Sequence, residues 1–220
     1  MLLKKELMQP LFTRLQGAIK QIIILGGRNG KFMEWHKKRL ENDLLCPVLR
    51  GRIHYEITKY RKAHDQPGRV IVKVDDDVIL DGNLFKYFKG YREVETAYKE
   101  THNIPRRQWN GKTIENQAVN EAAEMYIDRE RLELGIFDVW QFTNAIELYL
   151  NQSIDKSLRS ENPLVRLFAI LDRRVGKRTL MNERAELEQL PDWLQFFYVL
   201  RFSAEGIRTD WRMNEPDKMS

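Results

Sequence analysis

A single cysteine, Cys46, in 220 residues rules out an internal disulfide framework and any multi-cysteine zinc site. Such sparse cysteine use fits a reducing compartment, so a cytoplasmic location is expected. Long apolar runs are also missing. The longest, Ile22 to Leu25, falls far short of the roughly 20 residues needed to cross a bilayer, and no membrane contact is expected. Met1-Leu2-Leu3-Lys4-Lys5-Glu6 lacks the apolar stretch of a signal peptide. His36, His54, His64 and His102 form no H-x-x-x-H or H-E-x-x-H pair, which removes the metalloprotease signature. No G-x-S-x-G elbow is present. Gly26-Gly27-Arg28-Asn29-Gly30-Lys31-Phe32 superficially resembles a phosphate-binding loop. Its first glycine position would be Leu25 and its hydroxyl position Phe32, so it reads as a plain turn. No motif sets a nucleophile beside a base, and neither catalytic residues nor a cofactor are expected.

Hydrophobic residues make up 42% and charged residues 31%, values of a globular chain rather than a disordered one. The net charge of +5 is unevenly spread. Residues 1–73 carry 16 Lys/Arg against 6 Asp/Glu, a net of +10, and the remainder carries −5. Such asymmetry marks either a polyanion-binding face or two halves of one domain that attract each other.

Periodicity predicts the elements. Residues 5–25 place Leu11, Leu15, Ala18, Ile19, Ile22 and Ile23 on one helical stripe that Gly26-Gly27 stops. A shorter helix over 31–45 ends at Cys46-Pro47. From Arg52 to Tyr60 the period drops to two, with Ile53, Tyr55 and Ile57 on one face. Val70, Val72 and Val74 repeat that alternation after an Asp65-Gln66-Pro67-Gly68 turn, and Val78-Ile79-Leu80 follows Asp75-Asp76-Asp77. Three strands with short turns predict an antiparallel meander. Helical spacing returns at Leu84, Phe85, Tyr87, Phe88 and Tyr91. Residues 99–120 are polar and broken by Pro105 and Gly111, so they read as a loop or a pair of short helices. Further helices are expected over about 115–133, 138–151, 163–178, 180–189 and 191–205, with a frayed tail over 208–220. The fold class is α+β, a three-stranded antiparallel sheet over residues 50–81 under N- and C-terminal helices. A single domain over 1–220 is expected.

The most distinctive text is Ala169-Ile170-Leu171-Asp172-Arg173-Arg174-Val175-Gly176-Lys177-Arg178-Thr179-Leu180. It resembles a family of small bacterial proteins whose late helix reads A-D-R-R-I-G-K-R-R-L, with Leu171 in place of an Ala and Thr179 in place of the second Arg. The order of elements is similar too, with residues 26–46 and about 95–130 standing as insertions. The resemblance implies an α+β fold and no activity, since no function is assigned to that family.

Two sets of side chains are candidates for polyanion contact. If residues 163–178 are one helix, Arg166, Arg173 and Lys177 share an outward flank, and Arg174 and Arg178 form a second row. Guanidinium groups so placed grip phosphates in bidentate fashion. The alternative is a solvated basic face paired with Asp172, Glu183 or Glu147. On the sheet, Arg52, Arg61, Lys62 and Arg69 surround His54, Glu56 and Thr58, an arrangement able to bind single-stranded nucleic acid or simply to blunt the sheet's edges. Asp75-Asp76-Asp77 reads as turn chemistry rather than a metal site, because no EF-hand spacing follows it. Trp193, Phe196, Phe197, Tyr198, Leu200 and Phe202 surround one helix and read as core, or as a protein-contact face if part stays exposed. Two functions follow from different classes. The first is a non-catalytic module for an unknown protein partner. The second is nucleic-acid binding through Arg52, Arg61, Lys62, Arg69, Arg173, Arg174, Lys177 and Arg178.

Overall fold

A computed structural model describes residues 29–59, 68–111 and 113–208. The expected helix over 5–25, the Asp65-Gln66-Pro67 turn and the tail beyond Arg208 lie outside the described residues. The chain divides into two compact units, Met1–Lys38 and Arg39–Ser220. Of the first, helix α1 (Asn29–Lys38) is described. It begins at the residues expected to form a turn.

The second unit opens with a π-helical stretch, Arg39–Leu44, and a 3₁₀ turn, Pro47–Leu49. Three antiparallel strands follow in the order β1 (Ile53–Lys59), β2 (Gly68–Val74), β3 (Asp77–Asn83). The register pairs Tyr55 with Val72 and Val72 with Leu80, so one face of the meander is continuous apolar surface. Ile53, Tyr55, Val70, Val72, Val74 and Leu80 are all buried there. This is the alternation read from the sequence, and it fixes the strands because a one-residue slip would turn the whole set outward. Asp75 and Asp76 both have positive φ, 51° and 70°, which makes the β2–β3 connection a two-residue hairpin turn of the type that matches sheet twist. Aspartate tolerates that conformation better than most residues, which accounts for the acidic run.

Helices α2 (Leu84–Thr101) and α3 (Gln117–Glu133) form an antiparallel pair with a small core of their own: Val94, Ala123 and Ile127, flanked by Tyr91, Tyr98 and Ile104. Between them a short hairpin joins β4 (Gln108–Trp109) to β5 (Ile114–Glu115). The polar stretch is therefore a loop containing a small hairpin. At the base of the pair Arg131 is fully buried and lies 4.3 Å and 4.7 Å from the Tyr87 and Tyr91 ring centroids.

Helix α4 (Val139–Leu150) covers the sheet's apolar face. Its start is set by a capping box between Asp138 and Gln141. Helix α5 (Ile154–Leu158), one turn not foreseen from the sequence, starts at a Ser153 cap. Helix α6 (Pro163–Leu171) starts at Asn162, whose side chain accepts from the Leu164 amide, with Pro163 in the first turn. Eight of its nine residues are buried, Arg166 being the exception. Phe168 sits at the centre, with Phe142, Tyr149 and Tyr55 rings 5.2, 5.6 and 6.1 Å away. Side chains of this size contribute about 1.5–3 kcal/mol each when buried, so this cluster is a principal source of stability. Helices α7 (Lys177–Glu183) and α8 (Asp192–Ala204), joined by a 3₁₀ turn over Arg184–Gln189, complete the layer. No described helix is long and apolar enough to cross a membrane.

Candidate functional site

The expected helix over 163–178 ends at Leu171. Asp172 is extended (φ −70°, ψ 139°), and α7 starts again after Gly176. The cause is a tertiary contact. Residues 44–46 run antiparallel to 171–173, the Cys46 amide donating to the Leu171 carbonyl at 2.9 Å and the Arg173 amide to the Leu44 carbonyl at 2.7 Å. These bonds take the backbone groups that a continuing helix would need.

Asp172 is the hub of this corner, 1% exposed. Its carboxylate accepts from the Arg174 amide at 2.7 Å, from Arg174 Nε at 2.9 Å and Nη2 at 2.6 Å, and from the Tyr149 hydroxyl. Burial, and then the Asp172 charge, pushes the Tyr149 hydroxyl well above its ordinary pKa. The hydrogen bond to Asp172 raises the Arg174 guanidinium. From the other side Arg201, 2% exposed, donates to the Val175 carbonyl at 2.9 Å and pairs with Glu205 at 3.1 Å. Burial lowers its pKa. The Asp-Arg-Arg-Val-Gly stretch is therefore a pinned turn rather than a helical face.

The two expected rows of cations are accordingly corrected. Arg166 lies on α6 and faces Glu186 at 3.3 Å and Glu183 at 3.9 Å, the second being one of the partners expected for it. Arg174 is taken up by Asp172. Lys177 reaches Glu205 only at 4.0 Å. Arg173 and Arg178 are exposed, with no ion-pair partner among the described residues.

The sheet cations are also engaged. Arg52 forms a bidentate pair with Asp75, at 2.8 and 2.6 Å. Arg69 does the same with Asp81, at 2.8 and 3.1 Å, and Lys86 joins Asp81 at 3.0 Å. Lys73 pairs with Glu56 at 2.5 Å. Burial would raise the Asp81 carboxyl, but hydrogen bonds from Arg69, Lys86 and Asn83 outweigh it and hold it at about 2. Much of the sheet's positive charge is thus offset by carboxylates within it. Arg61 and Lys62 lie outside the described residues.

Helix α8 is spent on the core. Phe197, Tyr198 and Phe202 have no exposed surface, and Trp193 donates to the Leu132 carbonyl at 3.0 Å. Of the aromatic set, Trp193 and Phe196 alone stay partly exposed. Exposed aromatic and aliphatic surface gathers instead on the α2–hairpin–α3 arm. Phe85 is 86% exposed, Trp109 68% and Met125 72%, with Phe88 and Tyr126 more than half exposed. The sequence reading grouped Phe85 and Phe88 with the crowded apolar start of α2. A sharper signal was available. On a 100° wheel Tyr87, Tyr91, Val94 and Tyr98 share one stripe, and Phe85 and Phe88 lie off it.

Along the outer face of α2 runs an open groove of about 670 Å³, between the helix and the loop after it. Arg92, Lys99, Arg106 and Arg107 line it together with Glu95 and Glu100. Lys99 is paired to Glu95 and Arg107 to Glu124 at 2.5 Å. Arg92 and Arg106 are exposed and have no ion-pair partner among the described residues.

The architecture defines an α+β protein built on an antiparallel meander under helices, with a helical arm that has its own small core and a pinned late corner. The chain belongs to the SF0329 protein family, whose model matches residues 35–202. The matched stretch runs from the end of α1 through most of α8, so it spans the sheet, the arm and the corner alike. No curated protein and no solved structure matches the chain.

Proposed function

We propose that the protein is a non-catalytic interaction module that docks a protein partner on the α2–hairpin–α3 arm. The observation that carries this reading is the exposure of Phe85, Trp109 and Met125 on an element with its own small core. Several large apolar side chains exposed on one helical pair, while most of α8 and the apolar face of the sheet are buried, are what a docking surface requires. Aromatic and Met residues are also the types enriched at such surfaces.

The test is differential. A Phe85→Ser/Trp109→Ser/Met125→Ser variant should keep the wild-type melting temperature, since all three residues are exposed. It should lose a partner that the wild type captures and that an Arg173→Ser/Arg178→Ser variant retains. The captured partner, purified, should bind wild type and not the triple variant. Equal capture by the triple variant overturns the reading.

A second reading rests on Arg173 and Arg178, exposed without ion-pair partners among the described residues and near Lys177 in the chain. These three form a smaller polyanion contact than the eight residues expected from the sequence. Anisotropy with labelled single-stranded DNA and RNA should then show a steep salt dependence that Arg173→Ser/Arg178→Ser flattens. Binding unaltered by that variant removes this reading.

A further inference from the structure

We infer that the α2 groove binds an acidic, extended peptide segment of the partner, an inference that rests on the arm being the docking element. Its charge balance carries the argument. Once Lys99 is assigned to Glu95 and Arg107 to Glu124, Arg92 and Arg106 are left over against a single carboxylate of the lining, Glu100, so the groove keeps a net positive charge. Guanidinium groups in open grooves bind carboxylates through paired N–H donors.

The lining also selects the class of occupant. Glu95 and Glu100 stand in the same wall. A nucleic-acid backbone carries a negative charge at every nucleotide and meets both carboxylates. A peptide places acidic side chains against Arg92 and Arg106 and neutral ones against the two glutamates. Dimensions agree. Arg92 and Lys99 are seven residues apart on one face of α2, about 10 Å along its axis. An extended peptide spans that with three or four residues at about 3.3 Å each. Ile104, half-buried in the same wall, gives an apolar side chain of the segment a place to rest. The groove volume of about 670 Å³ lies within the range of sites that hold compact ligands.

The experiment measures anisotropy of short labelled probes on the full chain at low salt. The probes are a peptide in which Asp and Glu alternate with Leu and Ser, the same peptide with Lys for each acid, and oligo-dT. The acidic peptide should bind, and Arg92→Ser/Arg106→Ser should weaken it about tenfold, as loss of two charge-assisted contacts does. Arg173→Ser/Arg178→Ser should leave it unchanged. Arg92→Glu/Arg106→Glu should transfer preference to the Lys peptide, a gain that misfolding cannot mimic. Failure of the acidic peptide to bind, stronger binding of oligo-dT, or binding untouched at Arg92 and Arg106 overturns the inference. If the partner is lost with Phe85, Trp109 and Met125 while these peptide results fail, only the groove's role falls. If the apolar variant loses nothing, the docking reading falls first.

Discussion

Tyr149 donates its hydroxyl proton to the Asp172 carboxylate inside the core, joining α4 to the turn where α6 ends, 23 residues on. The same carboxylate holds the Arg174 side chain and amide. One buried oxygen pair thus satisfies four donors, the Tyr149 hydroxyl and the Arg174 amide, Nε and Nη2, and the turn's shape depends on it. Asp172→Asn should cost about 2–3 kcal/mol, because an amide cannot accept from all four and its NH₂ faces donors. Tyr149→Phe should cost about 1–2 kcal/mol. Urea unfolding with unchanged m-values checks both, and a loss below about 0.5 kcal/mol for Asp172→Asn would show that the turn is held by its backbone bonds alone.

Arg131 offers the opposite case. Its guanidinium lies against the Tyr87 and Tyr91 rings, with Nη2 near Asp128, while Nε and Nη1 have no hydrogen-bond partner among the described residues. A charge buried with so few partners carries a large desolvation cost. Arg131→Met should therefore stay within about 1 kcal/mol of wild type, since it keeps most of the volume and makes sulfur–aromatic contacts. Arg131→Ala should cost about 3 kcal/mol through the cavity it leaves. Thermal unfolding of the two variants separates them. If Met proves as damaging as Ala, the cation–ring attraction itself holds the arm together.

Acid should weaken the sheet in a defined window. The Asp81 carboxyl is held at about 2 in the folded state, below its unfolded value near 3.9. A depressed carboxylate contributes stability that is present above the unfolded pKa and lost as pH falls through the folded one. The loss therefore lies between about pH 4 and pH 2. Full linkage would give about 2.5 kcal/mol, and screening of the half-exposed Arg69 reduces it to about 1–2 kcal/mol. Asp81→Asn should be less stable than wild type at pH 7, and the difference should vanish near pH 2. Parallel pH–stability curves for the two proteins would contradict this.

Gly82 lies under the Phe137 ring, where an added Cβ would overlap ring carbons. Strand β3 therefore reaches its partner elements only because this position has no side chain. Gly82→Ala should destabilise by about 2–4 kcal/mol, from strand displacement or ring rotation. Pairing it with Phe137→Leu should recover part of that loss. A double-mutant cycle with no coupling would mean the ring relaxes without cost.

The meander was legible because Val70, Val72 and Val74 alternate strictly and the acidic turn separates β2 from β3. The starts of α6 and α8 were legible from Asn162-Pro163 and Pro191-Asp192, since capping depends on a few neighbouring residues, whereas the Asp138 capping box of α4 emerged with the structure. The arm's exposed face was harder to see. Phe85 and Phe88 have the composition of a core stripe, and only their angular offset from Tyr87, Tyr91, Val94 and Tyr98 hints that they lie outside it; the position of α3 then shows which side of α2 is covered.

Local chemistry by itself determined the strands, the caps and the α+β class, because period and capping act over a few residues. Tertiary structure alone decided where α6 stops. Nothing in Asp172-Arg173-Arg174 forbids another helical turn, and the intervention comes from Leu44 to Cys46, more than a hundred residues earlier in the chain. The fate of the cations was settled in the same way. Arg52 and Arg69 look available in sequence until register brings Asp75 and Asp81 beside them, whereas Arg92 and Arg106 make no ion pair with a described carboxylate.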